Sequence, residues 1–350
     1  MITRRQMLAG SASLGLLGAL AACGNDDDAS DSGTSGVASA LRLGFFPNIT
    51  HATALVGVAQ DLFTKSLGSS TKLTTKTFNA GPAAIEQIFA KGIDATYVGP
   101  NPTVNAFVKS KGEEVRVIAG AASGGVAFVV KDNITKAADL KGKKIGTPQL
   151  GNTQDVALRY WLKQNGLSST TTGGGDVNIQ PQENAQILEK YTAGGLDGAW
   201  VPEPYVSRLL AVGGHVLVDE RTLWPGGKFV ITNLIVRTEF LEKYPKTVKA
   251  LLEGHVAAND SIAKDAAAAQ QAVSTEIGKL TGKALKLDLI KKAWPSLTFL
   301  NDPIASSLTT GAEHAVDVGL LKKPDLKGLY DLKLLNEVLK AKGETAVTQP

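Results

Sequence analysis

The stretch Lys91-Gly92-Ile93-Asp94-Ala95-Thr96-Tyr97-Val98-Gly99-Pro100-Asn101-Pro102-Thr103 decides how this chain is read. Gly92 ends one helix, residues 93–98 make a short buried strand, and residues 99–103 turn sharply into a second helix. Proline at a helix start wastes no hydrogen bond, and Asn101, just ahead of Pro102, is a good N-cap. Such a turn leaves free backbone N–H groups and the positive end of a helix dipole at a strand's carboxyl end. In open α/β sheets, ligands bind there.

The pattern returns in the second half. Gly195-Leu196-Asp197-Gly198-Ala199-Trp200-Val201 repeats Gly92-Ile93-Asp94-Ala95-Thr96-Tyr97-Val98 at an offset of 103, and the turn Pro202-Glu203-Pro204-Tyr205 follows it. The flanks agree too. Residues 41–46, a helical stretch from Ala52 and residues 72–78 precede the first copy. Residues 143–146, a helical stretch from Thr153 and residues 177–180 precede the second. Two βαβαβ units of the same order predict an α/β protein with two similar lobes and a cleft between them. Lobe one takes residues 41–125 and, with the C-terminal helices, 229–350; lobe two takes 126–228. The apolar runs 126–130 and 228–236 are read as two strands that cross between the lobes.

The chain has 350 residues, 43% hydrophobic and 20% charged, as expected of a soluble protein with two domains of ordinary size. Its amino end differs. Arg4-Arg5 precede an apolar run from Met7 to Ala22 that is too short to span a bilayer and has the charged start of an export signal. Thr3-Arg4-Arg5-Gln6-Met7-Leu8 resembles a twin-arginine signal. The one cysteine, Cys23, follows Leu20-Ala21-Ala22, as in the bacterial lipoprotein box, where the cysteine is lipidated and becomes the first residue. Residues 1–22 are thus read as a signal peptide. Residues 23–40, rich in Gly, Ser and Asp, are read as a tether that buries nothing. The net charge of +4 halves once Arg4 and Arg5 are removed, which argues against nucleic acid as a partner. With Cys23 acylated, no thiol remains for a disulfide, a nucleophile or a metal.

Gly146-Thr147-Pro148-Gln149-Leu150-Gly151-Asn152-Thr153 has the G-x-x-x-x-G spacing of a phosphate loop, but Asn152 stands where the lysine would be. Without that charge the geometry suits a small oxyanion that is held and not transformed. The same residues could also be a capped helix start with no ligand. Convergence favours a site. Asn48, Thr50 and His51 occupy the first turn of lobe one, and Asn152 and Thr153 the first turn of lobe two. Asn101 and Thr103, and likewise Glu203 and Tyr205, lie in the matching third turns. Four helix starts then face one cleft with neutral donors. Glu203 either meets a ligand cation or stabilises its own helix dipole, and His51 either donates to the anion or packs. Trp224 either walls the cleft or covers a sheet end, and His255 reads as core. His215 and His314 stand apart, so no metal-ligand spacing is present. No catalytic motif such as G-x-S-x-G or H-E-x-x-H occurs in the mature chain, and no cofactor is expected.

Phe78-Asn79-Ala80-Gly81-Pro82, Gly92-Ile93-Asp94, Gly99-Pro100-Asn101-Pro102, Asp139-Leu140-Lys141-Gly142-Lys143-Lys144-Ile145-Gly146 and Asp197-Gly198-Ala199-Trp200 occur in one order. This series resembles the substrate-binding proteins of ABC importers for aliphatic sulfonates, taurine and nitrate, over about residues 41–264. The resemblance implies a type II periplasmic-binding fold, a monomer whose lobes close on a small organic anion and dock on a membrane permease. It also implies ligand contacts at residues 47–51, at Asn101, Pro102 and Thr103, at Ser123, at Asn152 and Thr153, and at Glu203. Sulfonate-type members often carry Trp-Asp-Pro near the last turn. Here Trp200-Val201-Pro202-Glu203-Pro204 is one residue longer, which displaces the carboxylate. An alkanesulfonate or taurine is the expected ligand, ahead of nitrate or bicarbonate. A lipid on Cys23 would hold the protein on the outer face of the cell membrane. Thiamine-pyrimidine synthases share the lobe architecture but need a cysteine-rich motif missing here. A receptor's sensor lobe would need a membrane span that does not appear after Ala22.

Overall fold

The computed structural model describes residues 36–350; the leader, Cys23 and the first part of the tether lie outside them. The chain opens with β1 (Ala40–Phe45), α1 (Ala52–Ala59), α2 (Leu62–Leu67), β2 (Lys72–Thr77), α3 (Gly81–Phe89), β3 (Ala95–Val98), α4 (Pro100–Lys109) and β4 (Val115–Gly124). There follow β5 (Val126–Val130), β6 (Lys144–Pro148), α5 (Thr153–Gln164), β7 (Asn178–Gln182), α6 (Asn184–Thr192), β8 (Gly198–Pro202), α7 (Tyr205–Leu210) and β9 (His215–Asp219). The return brings β10 (Val230–Arg237), α8 (Thr238–Lys243), α9 (Pro245–Lys264), α10 (Ala266–Thr281), α11 (Leu287–Ala293), β11 (Leu297–Phe299), α12 (Ala305–Asp317) and α13 (Lys333–Ala341). No helix among the described residues is long and apolar enough to cross a membrane.

The strands form two mixed sheets, in the orders β11-β4-β10-β3-β1-β2 and β7-β6-β8-β5-β9. β1 pairs in parallel with β2 and β3, and β6 with β7 and β8, so each lobe is built on one copy of the repeated unit. The copies keep their spacing: α3 starts at Gly81 and α6 at Asn184, β3 at Ala95 and β8 at Gly198, 103 residues apart in both cases. Each sheet also holds one antiparallel strand that has just arrived from the other lobe. β5 lies between β8 and β9, and β10 between β3 and β4. These are the two crossing strands expected from the apolar runs. β10 is buried along its whole length, as expected of a strand covered on both faces, and is mainly apolar with Thr232, Asn233 and Arg237 as buried polar residues. β2, by contrast, is an exposed edge with lysines that discourage further pairing.

The first crossing passes under β11 at Gly124 and Gly125, whose φ values are 78° and 69°. A Cβ would lie 2.4 Å from the Ser296 carbonyl oxygen at Gly124 and 2.3 Å from Leu297 Cδ2 at Gly125. Both the dihedrals and the space demand glycine.

The repeated aspartate does one job in both lobes. Asp94 accepts the Arg42 N–H at 2.9 Å, and Asp197 accepts the Lys144 N–H at 2.9 Å, tying the loop before β3 or β8 to the neighbouring strand. Only Asp94 also meets guanidinium groups: Arg42 Nη2 at 2.6 Å and Arg237 Nη2 at 2.9 Å. Burial pushes its carboxyl up, but the bonds to Arg42 and Arg237 win and leave it below the ordinary carboxylate range.

Two expectations need correction. Residues 36–40 were assigned to a tether that buries nothing, yet Ala38 is buried. The Gly36 carbonyl accepts N–H bonds from Lys246 and Thr247, satisfying donors that the first turn of α9 leaves open. Asn101 does not cap α4; Gly99 is the N-cap, and Asn101 is the second helical residue, donating to the Gly311 carbonyl at 3.1 Å.

His255 is core, as read. Its Nδ1 lies 2.8 Å from the Tyr97 hydroxyl, and burial pushes the imidazole down to about 3. The folded value lies below the unfolded value of about 6.5, so burying this ring costs nothing above that pH. The cost grows as pH falls from about 6.5 toward 3, at up to about 1.4 kcal/mol per pH unit.

Asp94→Ala leaves the buried Arg237 paired only with the exposed Glu239, at 3.0 Å, and chemical denaturation should show a loss approaching about 3–5 kcal/mol. Asp197→Ala, which removes a half-buried acceptor, should cost about 1 kcal/mol. Equal losses would mean that the guanidinium pairs contribute nothing. His255→Gln should make the fall in stability below pH 6.5 shallower than in the parent, measured as the slope of unfolding free energy against pH. An unchanged slope would place the titration elsewhere.

Candidate functional site

After β1 the chain makes a short turn, Ile49–His51, into α1; after β6, residues 149–152 lead into α5. The second loop is held from within. Asp155 accepts the Thr147 hydroxyl at 2.9 Å and the Gly151 N–H at 3.0 Å, and the buried Arg159 pairs with it. Asn152 caps α5 through Oδ1, which accepts the Thr153 N–H at 2.9 Å. These two loops face each other. Asn48, Thr50 and His51 from lobe one and Asn152, Thr153 and Gln154 from lobe two line a recess of about 30 Å³, with Asn79 and Asn184 at its side.

Every hydrogen-bonding side chain on this lining is neutral at physiological pH. Burial pushes His51 down to about 3. Its Nδ1 accepts the Phe46 N–H at 3.3 Å, so the neutral ring carries its proton on Nε2 and is a donor there. Thr153 Oγ1 and Asn184 Oδ1 are buried without a hydrogen-bond partner. Buried polar atoms left open in this way are unusual in a folded protein and mark a place where a ligand would bond. No lysine or arginine lines the recess.

Thr153 also lines a second recess, of about 20 Å³, shared with Asn101, Glu220, Trp224, Phe229, Ser307 and His314. Glu220 is 1% exposed. Its carboxylate accepts the Trp200 indole N–H at 2.6 Å and that of Trp224 at 3.4 Å. Burial dominates and pushes it up to about 7 despite these bonds. Trp224 stacks on Phe229 at 5.4 Å between ring centroids and tilts against His314 at 5.6 Å. His314, on α12 of lobe one, stacks on Tyr160 of α5 in lobe two at 3.5 Å. Lys163 Nζ to the Asp317 carbonyl (2.8 Å) and Asn79 Nδ2 to Glu183 (3.3 Å) also join the lobes, so the cleft is closed.

The expected site residues thus divide. Asn48, Thr50, His51, Asn152 and Thr153 share the first recess, and Asn101 and Trp224 the adjoining one. Pro102 packs on Gly81, and the Thr103 hydroxyl donates to the Gly99 carbonyl at 2.9 Å; neither lines a recess. Ser123 sits at the first crossing, where its Oγ accepts the Phe229 N–H at 3.3 Å. Glu203 is set apart. It lines a separate apolar cavity on α7, and its carboxylate accepts the Ser207 N–H (3.1 Å) and hydroxyl (2.9 Å). Its carboxylate thus lies against the first turn of α7, the place that the helix-dipole reading gives it. Burial first, offset by the Ser207 bonds, brings it up to about 7.

Residues not singled out from sequence include Asn184, Glu220, Ser307 and His314. Asn184 was reachable, because it stands 103 residues after Gly81. Ser307, Gly311 and His314 share a helix face at spacings of four and three, a weak signal. Glu220 had none: Asp219-Glu220-Arg221 reads as a solvated charge run.

A model of the NMT1-like family matches residues 36–277. The taurine-binding periplasmic protein of Escherichia coli (strain K12) is 28% identical over 206 residues, covering 58% of this chain and 61% of that protein. A putative binding protein of Brucella abortus (strain 2308) is 24% identical over 215 residues, covering 61% of this chain and 62% of that one. The match spans about three-fifths of these curated relatives' length. The structure of the alkanesulfonate-binding protein SsuA from Xanthomonas axonopodis pv. citri, bound to MOPS, superposes with a TM-score of 0.68 at 19% identity, covering 82% of this chain and 96% of that one. For the periplasmic nitrate-binding protein NrtA from Synechocystis PCC 6803 the TM-score is 0.74 at 16% identity, covering 88% and 90%. Identities this low establish the fold, which is that of the periplasmic binding proteins. Since the family model covers most of the described residues, the chain belongs to the NMT1-like family.

Proposed function

We propose that this protein is the solute-binding component of an ABC importer, anchored outside the cytoplasm by a lipid on Cys23. In this reading it captures a small organic anion, an alkanesulfonate or taurine, in the first recess and delivers it to the permease as a monomer. The observation that carries the reading is the pairing of matching loops. Asn48, Thr50 and His51 oppose Asn152 and Thr153, with Thr153 Oγ1 buried and unbonded. Neutral donors can balance one diffuse negative charge, which suits a monoanion held by hydrogen bonds alone. The taurine-binding relative and the alkanesulfonate-binding structure support the same class of ligand.

A second reading has support of its own. A recess of about 30 Å³ is small enough for nitrate or bicarbonate, and the nitrate-binding protein shares the fold. That reading leaves the second recess without a use.

Calorimetric titration with taurine, ethanesulfonate, nitrate and bicarbonate separates the two. Sulfonates should bind and the inorganic anions should not. Joint replacement of Asn152 and Thr153 by alanine should weaken every anion that binds, by about 1.5–3 kcal/mol for each charge-assisted bond removed. Heat from none of the four compounds would reject this ligand class. Cys23→Ser should move the protein from the membrane fraction to the soluble fraction, and retention on the membrane would exclude the lipid anchor.

A further inference from the structure

We propose that the second recess is a cation subsite, in which Glu220 and the Trp224, Phe229 and His314 rings receive an ammonium group on the ligand. The proposal rests on the reading of the first recess as an anion seat. It narrows the substrate class to short zwitterions with an acidic head at one end and an amine at the other.

The argument starts from charge. Glu220 is nearly wholly buried, and no lysine or arginine lines the recess it faces. Arg221, its neighbour in the chain, turns away and pairs with Asp219 at 2.6 Å. The charge on Glu220 is answered only by two indole N–H groups, one on each oxygen. A carboxylate can accept about four hydrogen bonds, so acceptor capacity remains. A buried acid without a cation is costly, and a ligand ammonium would supply the missing charge together with its hydrogen bonds. Burial brings this carboxyl up to about 7, so an arriving cation can draw it into the ionised form.

The walls fit the same chemistry. Trp224 and Phe229, stacked on each other, both line the recess, and aromatic rings attract cations, tryptophan most strongly. The recess opposes like with like nowhere: the anion seat has neutral donors and no acid, and the second recess has an acid and no base that is charged. Thr153 lines both. The two ends of the ligand are therefore separated by about one side chain, which limits the linker to a few carbons. Glu203, read from sequence either as meeting such a cation or as stabilising its helix dipole, lines neither recess.

Calorimetry on the wild-type protein is the first test, because it needs no variant to fold. Taurine should bind at least tenfold tighter than ethanesulfonate, which has the same head group and no amine. Glu220→Gln should remove that preference while changing ethanesulfonate affinity less than threefold. Trp224→Leu should reduce it and provides a second variant if Glu220→Gln is unstable. Equal affinities in the wild type, or equal losses for both ligands in Glu220→Gln, would overturn the cation subsite and leave the anion seat standing. Binding of neither compound to the wild type would overturn both.

Discussion

The contact between the Thr153 hydroxyl and the Gly99 backbone is the point on which the site depends. A Cβ at Gly99 would lie 2.7 Å from Thr153 Oγ1, so a side chain there would push the two lobes apart. Thr153 is the first residue of α5 in lobe two, and Gly99 caps α4 in lobe one. Their approach brings two helix starts together and makes Thr153 a wall common to both recesses. Burial of its hydroxyl without a partner leaves this contact incomplete in hydrogen bonding. In the proposed reading a ligand would complete it.

That contact is possible because of how the sheets are assembled. Each lobe receives its antiparallel strand from the other, β5 by way of Gly124-Gly125 and β10 by way of residues 220–229. The strands are therefore part of each core and part of the connection at once. The second crossing also carries chemistry. Residues 220–229 bring Glu220, Trp224 and Phe229 to the second recess while joining the lobes, so a ligand held as proposed would touch the connection itself.

The architecture was legible because it rests on repeated, local signals. The G-[IL]-D-x-x-[YW]-V copies at an offset of 103 placed both βαβαβ units, and two apolar runs placed the crossing strands. The first recess was legible for the same reason, since Asn48, His51, Asn152 and Thr153 lie in loops at strand ends. What escaped depends on long-range packing. Glu203 was left between two roles, and long-range packing sets its carboxylate against Ser207 in the first turn of α7. Glu220 sits in a run of charges that reads as solvated, and only the indoles of Trp200 and Trp224 bury it. His314 reaches the cleft because α12 packs across onto α5, a contact between segments about 150 residues apart that no periodicity announces.

In the proposed reading, the distribution of charge would let the protein hold a ligand without reacting with it. His51 is buried and neutral with Nδ1 occupied by Phe46, so the imidazole can donate a hydrogen bond but is poorly placed to take a proton. Asn152 is committed through Oδ1 to its own helix. The groups that face an anion are thus fixed donors, already oriented before the ligand arrives, and orientation in advance lowers the entropy lost on binding. A lysine would add attraction, but it would also hold sulfate, phosphate and every other abundant anion. Neutral donors give up that attraction and leave selectivity to shape and to whatever the far end of the ligand can find beside Thr153.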